Sequence, residues 1–348
     1  DYGYMFDVIK GYADGAIDVT ATDDRTLVVT LNNYVAYWNE LLAFPTYFPV
    51  REDVVANEGW ATDPATYISN GAYTMSAWEH DSLITLEKNP NYVDADSVTL
   101  DTLKCYLSDD ANNMLTNFKN SDWLMIDDVP SNEMAALAKD YPEEYRVVGQ
   151  IGTYYVNWNV NEEILPESSK LTGVEAEAAK AEIRAALGLL FDRQYICDEI
   201  GQAGQVPAAG FVAMGLTEPD GSEFISKNGV NRDGKGYYSV EKDDYTANCD
   251  AALALFKEVA DSSKKFSVKD NKLVGFPTLT YITNEGTGHE AIATYLQTAW
   301  GAYGITIKVE VQEWATFLNT RKNGDYSIAR NGWLGDYNMT LDRKSCSA

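Results

Sequence analysis

The sequence is poor in histidine, cysteine and positive charge, and each shortage excludes a class of function. Its 348 residues include only two histidines, His80 and His289, and four cysteines that lack C-x-x-C spacing. Neither a zinc site nor a disulfide framework is therefore indicated. Lysine and arginine total 27 against 53 aspartates and glutamates, for a net charge of −26. Because such a surface repels phosphate backbones, we expect no nucleic-acid partner.

Long apolar runs and the common hydrolase motifs are missing as well. No stretch approaches the roughly 20 apolar residues that a membrane helix needs. The sequence contains neither G-x-S-x-G nor H-E-x-x-H, which are signatures of serine hydrolases and zinc proteases. We therefore expect no metal, no cofactor and no enzymatic activity. The chain begins at Asp1 without a signal peptide, which predicts a mature chain or an internal fragment.

The strongest pattern in the chain lies between Gln312 and Asn338. Apolar residues at helical spacing are followed by the breaker Asn-Gly-Asp and then by an alternating strand. Alternation places four residues on one face of that strand: Tyr326, Ile328, Arg330 and Gly332. A charge among apolar neighbours must find a partner, and glycine lets a ligand's backbone approach. We therefore interpret Arg330 and Gly332 as site residues.

Two further strands and a helix precede this segment. The pattern predicts strands at 277–283 and 305–311, with a helix at 289–303 between them. Together with the segment above they form a βαβαβ unit, whose crossovers are right-handed. Ligands of such sheets bind beyond the carboxyl ends of the strands. Those ends bring four residues to one edge: His289, Trp314, Arg330 and Asp336.

Local alternatives exist for each of these residues. His289 opens a helix and could be a solvated surface residue, while Trp314 could belong to a core. Arg330 and Asp336 could form a structural ion pair that holds the turn. Further upstream, an aromatic strand at 152–159 carries polar residues at alternate positions. Tyr155 and Asn157 on that strand fit either ligand binding or packing.

Several blocks of sequence resemble, in order, those of the oligopeptide-binding proteins of ABC importers. The blocks are NGAYTMSAW, EKNPNYVDA, GTYYVNWN, EIRAALGLLFDR, PAAGFV, YITNEGTGHEAIA and QEWATFLNTRKNGDYSIARNGWLGDYN. The similarity runs from about Thr20 to Asn338, and the last block is the most specific. It implies an α/β, bilobal periplasmic-binding fold of type II, cluster C, present in part. It also implies a peptide buried between two hinged lobes.

The resemblance assigns roles to individual residues. Asp336 matches the aspartate that pairs with the peptide's α-ammonium group, and Arg330 matches an arginine that faces the peptide. His289 matches a histidine that can meet the C-terminal carboxylate of some peptides. The resemblance also implies that Arg321 is a second site arginine. It implies that Gly332 and the Tyr155–Asn157 strand bind the peptide main chain, and that Trp314 and Trp333 form aromatic pocket walls. Contacts to both termini and to the main chain would bind peptides of many sequences.

The resemblance further implies a monomeric extracytoplasmic receptor, a cell-surface lipoprotein or a periplasmic protein, that delivers peptides to an ABC permease. Residues 1–80 would end a family-specific domain and cross into the first lobe. Residues 81–173 would form part of that lobe, and 174–348 the second lobe. Met339-Thr340 stands where the family has an acidic residue and proline, and the family's first and last portions have no counterpart here. We therefore expect a chain truncated at both ends.

Two alternative functions remain at this stage. Relatives of this fold bind oligosaccharides, nickel chelates or haem, although Asp336 favours a ligand that carries an amino group. A secreted glycoside hydrolase would need two carboxylates flanking one cleft, and Glu313 with Asp336 could form such a pair. Nothing in the sequence around Glu313 suggests the raised pKa that a general acid needs.

Overall fold

The computed structural model describes residues 2–165, 171–218, 220–228, 236–263, 266–336 and 338. The chain divides into two compact units. One consists of Asp1–Tyr34 and Trp38–Glu133, the other of Val35–Tyr37 and Met134–Ala348. The assignment of 1–80, 81–173 and 174–348 to the family's domain plan stays a prediction. The atypical tail, Met339 to Ala348, lies outside the described residues.

Among its described residues, the first unit contains five strands and three α-helices. In chain order they are β1 (Val19–Asp23), β2 (Thr26–Val29), α1 (Trp38–Leu42), α2 (Glu52–Val55), β3 (Tyr73–Glu79), β4 (Leu83–Lys88), β5 (Thr102–Tyr106) and α3 (Ala111–Lys119). Strands β1 and β2 form an antiparallel ribbon, while β3, β4 and β5 form an antiparallel sheet in that order. The carboxylate of Asp110 accepts hydrogen bonds from the backbone N–H groups of Asn112 and Asn113. The acidic start of α3 is thus a helix cap.

The second unit carries the strands that the sequence places at the site. Its elements are α4 (Met134–Asp140), β6 (Gly152–Trp158), α5 (Gly173–Leu189), α6 (Arg193–Tyr195), α7 (Phe224–Asn228), α8 (Tyr245–Ser263), β7 (Ser267–Lys269), β8 (Lys272–Val274), β9 (Leu279–Asn284), α9 (Thr287–Gly301), β10 (Ile307–Gln312), α10 (Trp314–Asn323) and β11 (Ile328–Leu334). The predicted βαβαβ unit is confirmed, since β9, α9, β10, α10 and β11 alternate as expected.

The four long strands of this unit form one sheet in the order β10-β9-β11-β6. Strands β10 and β11 both run parallel to β9, so their carboxyl ends meet at one edge. Strand β6 lies outside β11 and runs antiparallel to it, which pairs Arg330 with Val156 and Gly332 with Tyr154. The sheet is therefore mixed, and its antiparallel strand comes from a segment far upstream in the chain.

One face of this sheet packs against α5, α8 and α9 and forms the main core. Ile183, Phe256, Trp300, Tyr281 and Ile328 are buried there almost completely. The Nε1–H group of Trp300 donates a hydrogen bond to the Leu187 carbonyl at 2.9 Å, so the buried indole is satisfied. The opposite face holds a smaller cluster under α10: Ile282, Phe317 and Ala329, with Leu318 and Tyr326 packed against them.

Two details of the predicted strand are wrong. The strand begins at Ile328, after Tyr326 has turned to the α10 side of the sheet, where it packs with Phe317 and Ala329. Tyr326 therefore does not share the face of Arg330. The alternating pattern places Trp333 just past the strand, but Trp333 lies within β11, paired with Thr153. The prediction missed both because the partner strand β6, which extends β11 past Gly332, is distant in sequence.

Across the described residues, no helix combines the length and the apolar character needed to span a bilayer.

Candidate functional site

The loop between β9 and α9 positions His289 at the carboxyl edge of the sheet. Gly286 adopts φ +135°, a conformation that side-chain-bearing residues rarely adopt, and Thr287 begins α9 directly afterwards. His289 thus lies in the first helical turn, half-buried beside β11. The Nη2 atom of Arg330 on β11 lies 2.8 Å from Nε2 of His289. The two residues that the sequence brought to one edge are therefore in direct contact.

Arg330 is held by rings more than by charges. Its guanidinium carbon lies 5.0 Å from the ring centre of Tyr154 and 5.7 Å from that of Trp314, distances at which a cation is attracted to an aromatic face. Within the described part of the chain, no carboxylate forms an ion pair with Arg330. The possibility of a structural Arg330–Asp336 ion pair is therefore not supported. A half-buried cation without an acid is suited to bind an anion.

The contact between Arg330 and His289 defines the protonation of the histidine. A guanidinium carries only donors, so Nε2 must accept the hydrogen bond and the imidazole proton must lie on Nδ1. Burial, and then the charge of Arg330, lower the pKa of His289 to about 4. Burial also lowers the pKa of Arg330, which nevertheless remains charged because arginine does not deprotonate in proteins. At neutral pH the pair carries a single positive charge.

Polar atoms without partners concentrate at this edge. Five buried side-chain atoms in the described residues lack a hydrogen-bond partner, and three of them are Nε of Arg330, Oδ1 of Asn284 and Oε1 of Gln312. Asn284 and Gln312 end β9 and β10 and are paired in register. Unsatisfied groups are rare in folded proteins, so the presence of three of them on β9, β10 and β11 indicates a functional region in this part of the sheet.

A second arginine lies on the other face of the sheet. Nη1 of Arg321 donates a hydrogen bond to Oδ1 of Asn331 at 2.8 Å. Its guanidinium carbon lies 5.3 Å from the ring centre of Phe317, in the same helix. Alternation along β11 separates Asn331 from Arg330. Arg321 is thus fixed by α10 and β11, and its charge lowers the pKa of Arg330 as one of several causes.

The polar residues of β6 have partners of their own. Nδ2 of Asn157 donates to the hydroxyl of Tyr326 at 2.7 Å, so this side chain holds the segment that leads into β11. The ring of Tyr155 contacts that of Phe211 edge-on, with centres 5.0 Å apart. Both side chains point away from the face of Arg330, as does Trp333 on β11. A ligand role for Tyr155 or Asn157 would therefore belong to the main chain of the strand.

Asp336 follows β11 in a bend that is anchored on both sides. The N–H of Gly335 donates to the Ile151 carbonyl at 2.7 Å. The side-chain oxygen of Asn338 accepts from the N–H of Thr217 at 3.1 Å. Asp336 itself is partly buried. The anchors place its carboxylate just past the strand that carries Arg330.

Glu313 caps a helix in the structure and does not face Asp336 as a catalytic partner in any described contact. Its carboxylate accepts hydrogen bonds from the backbone N–H groups of Ala315 and Thr316 and thereby caps α10. These bonds lower the pKa of Glu313. A general acid for glycoside hydrolysis needs a raised pKa. The structure therefore does not favour Glu313 as the acid of a catalytic pair.

Two residues of the site are not indicated by the sequence pattern. Tyr154 contacts both Arg330 and His289, with 5.5 Å between the tyrosine and histidine ring centres. Asn331 holds Arg321. Alternation along 152–159 separates Tyr154 from Tyr155, but only the pairing of β6 with β11 shows which tyrosine shares the face of Arg330.

The fold and this cationic edge are those of a solute-binding protein. A family model described as "Bacterial extracellular solute-binding proteins, family 5 Middle" matches residues 2–342. The chain belongs to this family. It is similar to the oligopeptide-binding protein OppA of Bacillus subtilis, with 30% identity over 98% of this chain. It is also similar to the dipeptide-binding protein DppE of the same species, with 28% identity over 96%.

Solved structures confirm the fold class. The structure of OppA from Burkholderia pseudomallei matches 98% of this chain with a TM-score of 0.74 and 23% sequence identity. The predicted α/β type II fold of bilobal periplasmic binding proteins is therefore correct. The chain spans 58% of the Bacillus subtilis OppA and 62% of the Burkholderia chain.

Proposed function

We propose that this chain is part of an extracytoplasmic receptor that captures oligopeptides for an ABC importer. The receptor acts as a monomer, passes its ligand to the permease subunits and catalyses no reaction. It is held at the cell surface or in the periplasm. Nucleic acid is not a partner, because the net charge of −26 opposes it. Capture proceeds by closure of two lobes, with the ligand favouring the closed state.

The observation that carries this proposal is the state of Arg330. Its guanidinium has an unpartnered Nε atom and a neutral histidine as neighbour, and no carboxylate of a described residue neutralises it. A carboxylate ligand would supply the missing charge and accept the unused donor. The Nδ1–H group of His289 offers a further donor. The C-terminus of a peptide brings such a carboxylate.

The other peptide terminus accounts for Asp336. An α-ammonium group needs an anionic acceptor, and Asp336 is a carboxylate placed just beyond the strand of Arg330. Trp314 is 49% exposed beside the guanidinium, which leaves an aromatic surface for a ligand's apolar groups. A ligand with two charged ends and apolar side chains between them fits these features better than a neutral sugar does.

Titration calorimetry with a pool of tri- to pentapeptides tests this function. We expect micromolar or tighter binding to the full chain. Amidation of the peptide C-terminus and the substitution Asp336→Asn should each weaken binding at least tenfold, since each removes a charge-assisted contact of roughly 1.5–3 kcal/mol. Asp261→Asn, an exposed aspartate of α8, is the matched control and should bind like the unchanged chain.

Blocking the two ends separates their partners. N-acetylated peptides should bind weakly, and Asp336→Asn should cause little additional loss with them. Binding that is indifferent to both amidation and acetylation would contradict the proposal. The absence of peptide binding by a cooperatively folded chain would also contradict it. Calorimetric binding of oligosaccharides, a nickel chelate or haem would then identify the protein as a receptor for a different solute.

A further inference from the structure

Gly332 lies opposite Tyr154 in the antiparallel pair of β11 and β6. A Cβ atom added at Gly332 would lie 2.7 Å from Cδ1 and 2.8 Å from Cε1 of the Tyr154 ring. These distances are shorter than any ordinary carbon contact. The space that a side chain at 332 would occupy is therefore filled by the ring of Tyr154.

The backbone of Gly332 is also engaged within the chain. Its N–H donates a hydrogen bond to Oδ1 of Asn331 at 2.9 Å. The same oxygen accepts from Arg321. The Tyr154 ring thus occupies the space beside the Cα atom of Gly332, and the Asn331 side chain accepts the hydrogen bond of its amide. Neither use involves the approach of a ligand's backbone, which is the role that its place in the strand first suggested.

The ring of Tyr154 then reaches the charged pair. Its centre lies 5.0 Å from the guanidinium carbon of Arg330 and 5.5 Å from the imidazole centre of His289. Tyr154 is 56% exposed, so the core does not hold its ring. The ring is instead supported by the flat strand surface at Gly332 and by the two side chains that it touches.

We propose that Tyr154 is a positioning residue of the anion site and that Gly332 serves the ring of Tyr154. The absence of a side chain at Gly332 leaves room for the ring, and the ring holds the guanidinium of Arg330 against Nε2 of His289. Arginine has several rotatable bonds and loses binding strength when its orientation is not restrained. Contact with the ring limits the guanidinium to the orientation in which His289 accepts from it. This role rests on the proposed function, because the anion in question is the peptide carboxylate.

A double-mutant cycle on the full chain distinguishes the two uses of the glycine. The variants are Gly332→Ala, Tyr154→Ala and their combination, with Tyr154→Phe as the conservative replacement. If the glycine serves the ring, Gly332→Ala and Tyr154→Ala should each weaken tripeptide binding about tenfold, and the double variant should be no weaker than Tyr154→Ala. Tyr154→Phe should retain binding within about threefold, since it keeps the ring.

A second readout needs no peptide. The pKa of His289, measured by NMR in the unliganded chain, should rise toward 6.5 in Tyr154→Ala and in Gly332→Ala, because the imidazole loses its cover and its contact with Arg330. It should stay low in Tyr154→Phe. A general loss of structure would shift NMR signals throughout the chain, and the low pKa of His289 would then not be retained selectively in Tyr154→Phe. Gly188→Ala in α5, where an added Cβ meets nothing within 4 Å, and the exposed Tyr237→Ala are the matched controls.

The outcomes separate the two levels of inference. If Gly332→Ala weakens binding as much in the Tyr154→Ala background as alone, the glycine serves the ligand and the inference is overturned. If Tyr154→Ala leaves both the His289 pKa and the affinity unchanged, Tyr154 has no positioning role. If the pKa values move as expected but the unchanged chain binds no peptide, the positioning role stands and the peptide-receptor function fails.

Discussion

His289 accepts a hydrogen bond from Arg330 across 2.8 Å at the carboxyl edge of the second unit's sheet. The arginine can only donate, so the histidine must be neutral at Nε2 for the contact to exist. The pair thus combines a fixed positive charge with an uncharged donor at Nδ1. This arrangement favours an anionic ligand over a cation, and it depends on pH through His289 alone.

The first prediction concerns the titration of His289. Because burial and the charge of Arg330 both oppose protonation, its pKa should be about 4 in the unliganded chain. The chain has only two histidines, so an NMR titration gives two sets of imidazole signals, and His80→Gln identifies them. Arg330→Gln should raise the pKa of His289. A His289 pKa near 6.5 in the unchanged chain would contradict the observed contact.

Stability should depend on pH through the same group. A lowered pKa means that the unfolded chain binds the proton first, so the stability associated with His289 is complete above about pH 6.5 and declines as pH falls toward 4. The loss should be about 2 kcal/mol, given roughly 1.4 kcal/mol per pKa unit and partial solvent screening. Urea unfolding at pH 7 and pH 4.5 measures it. The His289→Gln chain should lack this part of the pH-dependent loss of stability. An equal loss in both chains would mean that carboxylates, and not His289, cause it.

Arg330→Lys tests whether the orientation of the cation matters. Lysine keeps the charge but loses the planar guanidinium that lies over the Tyr154 ring and donates to His289. We expect tripeptide binding to weaken 10- to 100-fold by calorimetry. Peptides amidated at the C-terminus should show little further loss in this variant. Arg146→Lys, an exposed arginine of the same unit, should bind normally. Equal affinity of Arg330→Lys and the unchanged chain would show that charge alone suffices.

Trp300→Phe tests the core beneath the sheet. The indole is fully buried, touches Trp158 and Phe191, and satisfies the Leu187 carbonyl. Phenylalanine leaves a cavity and removes the indole hydrogen bond to the Leu187 carbonyl, which keeps only the N–H of Leu190 as a donor. The free energy of unfolding should therefore fall by about 2–3 kcal/mol. Denaturant unfolding checks this value. Trp314→Phe, at a half-exposed ring, should cost far less, and equal costs would mean that Trp300 is not a core residue in solution.

Lys180→Met tests a connection between α5 and the segment before it. Nζ of Lys180, whose side chain is 11% exposed, lies 2.9 Å from a carboxylate oxygen of Glu163 and 3.1 Å from one of Glu177. The bond to Glu163, and then that to Glu177, raise the pKa of Lys180, so this contribution is present below about pH 10.5 and is lost at higher pH. We expect a loss of about 1–2 kcal/mol at pH 7. The substitution Lys269→Met, at an exposed lysine, should change the free energy of unfolding little. An equally small change for Lys180→Met would show that solvent screens its ion pairs.

The sequence by itself determined the local elements around the site. Helical spacing and the break at Asn323 predicted α10, and alternation after it predicted β11 with Arg330 and Gly332 on one face. The βαβαβ pattern then brought His289 and Arg330 to one edge, because the carboxyl ends of parallel strands meet there. These inferences succeeded because helix and strand periods, and the order of strands and helices along the chain, are properties of local sequence.

Tertiary structure alone decided how those residues are used. Strand β6 comes from 152–158, more than 150 residues before β11, and its antiparallel register puts Tyr154 opposite Gly332 and Asn157 beside Tyr326. A shift of one residue in that register would exchange Tyr154 for Tyr155 on the face of Arg330. Local pattern carries no information on such a pairing, since it is selected by packing over the whole sheet. The sequence therefore determined which residues reach the edge, and the pairing of β6 with β11 determined that Tyr154 lies against Arg330 and that Gly332 makes room for it.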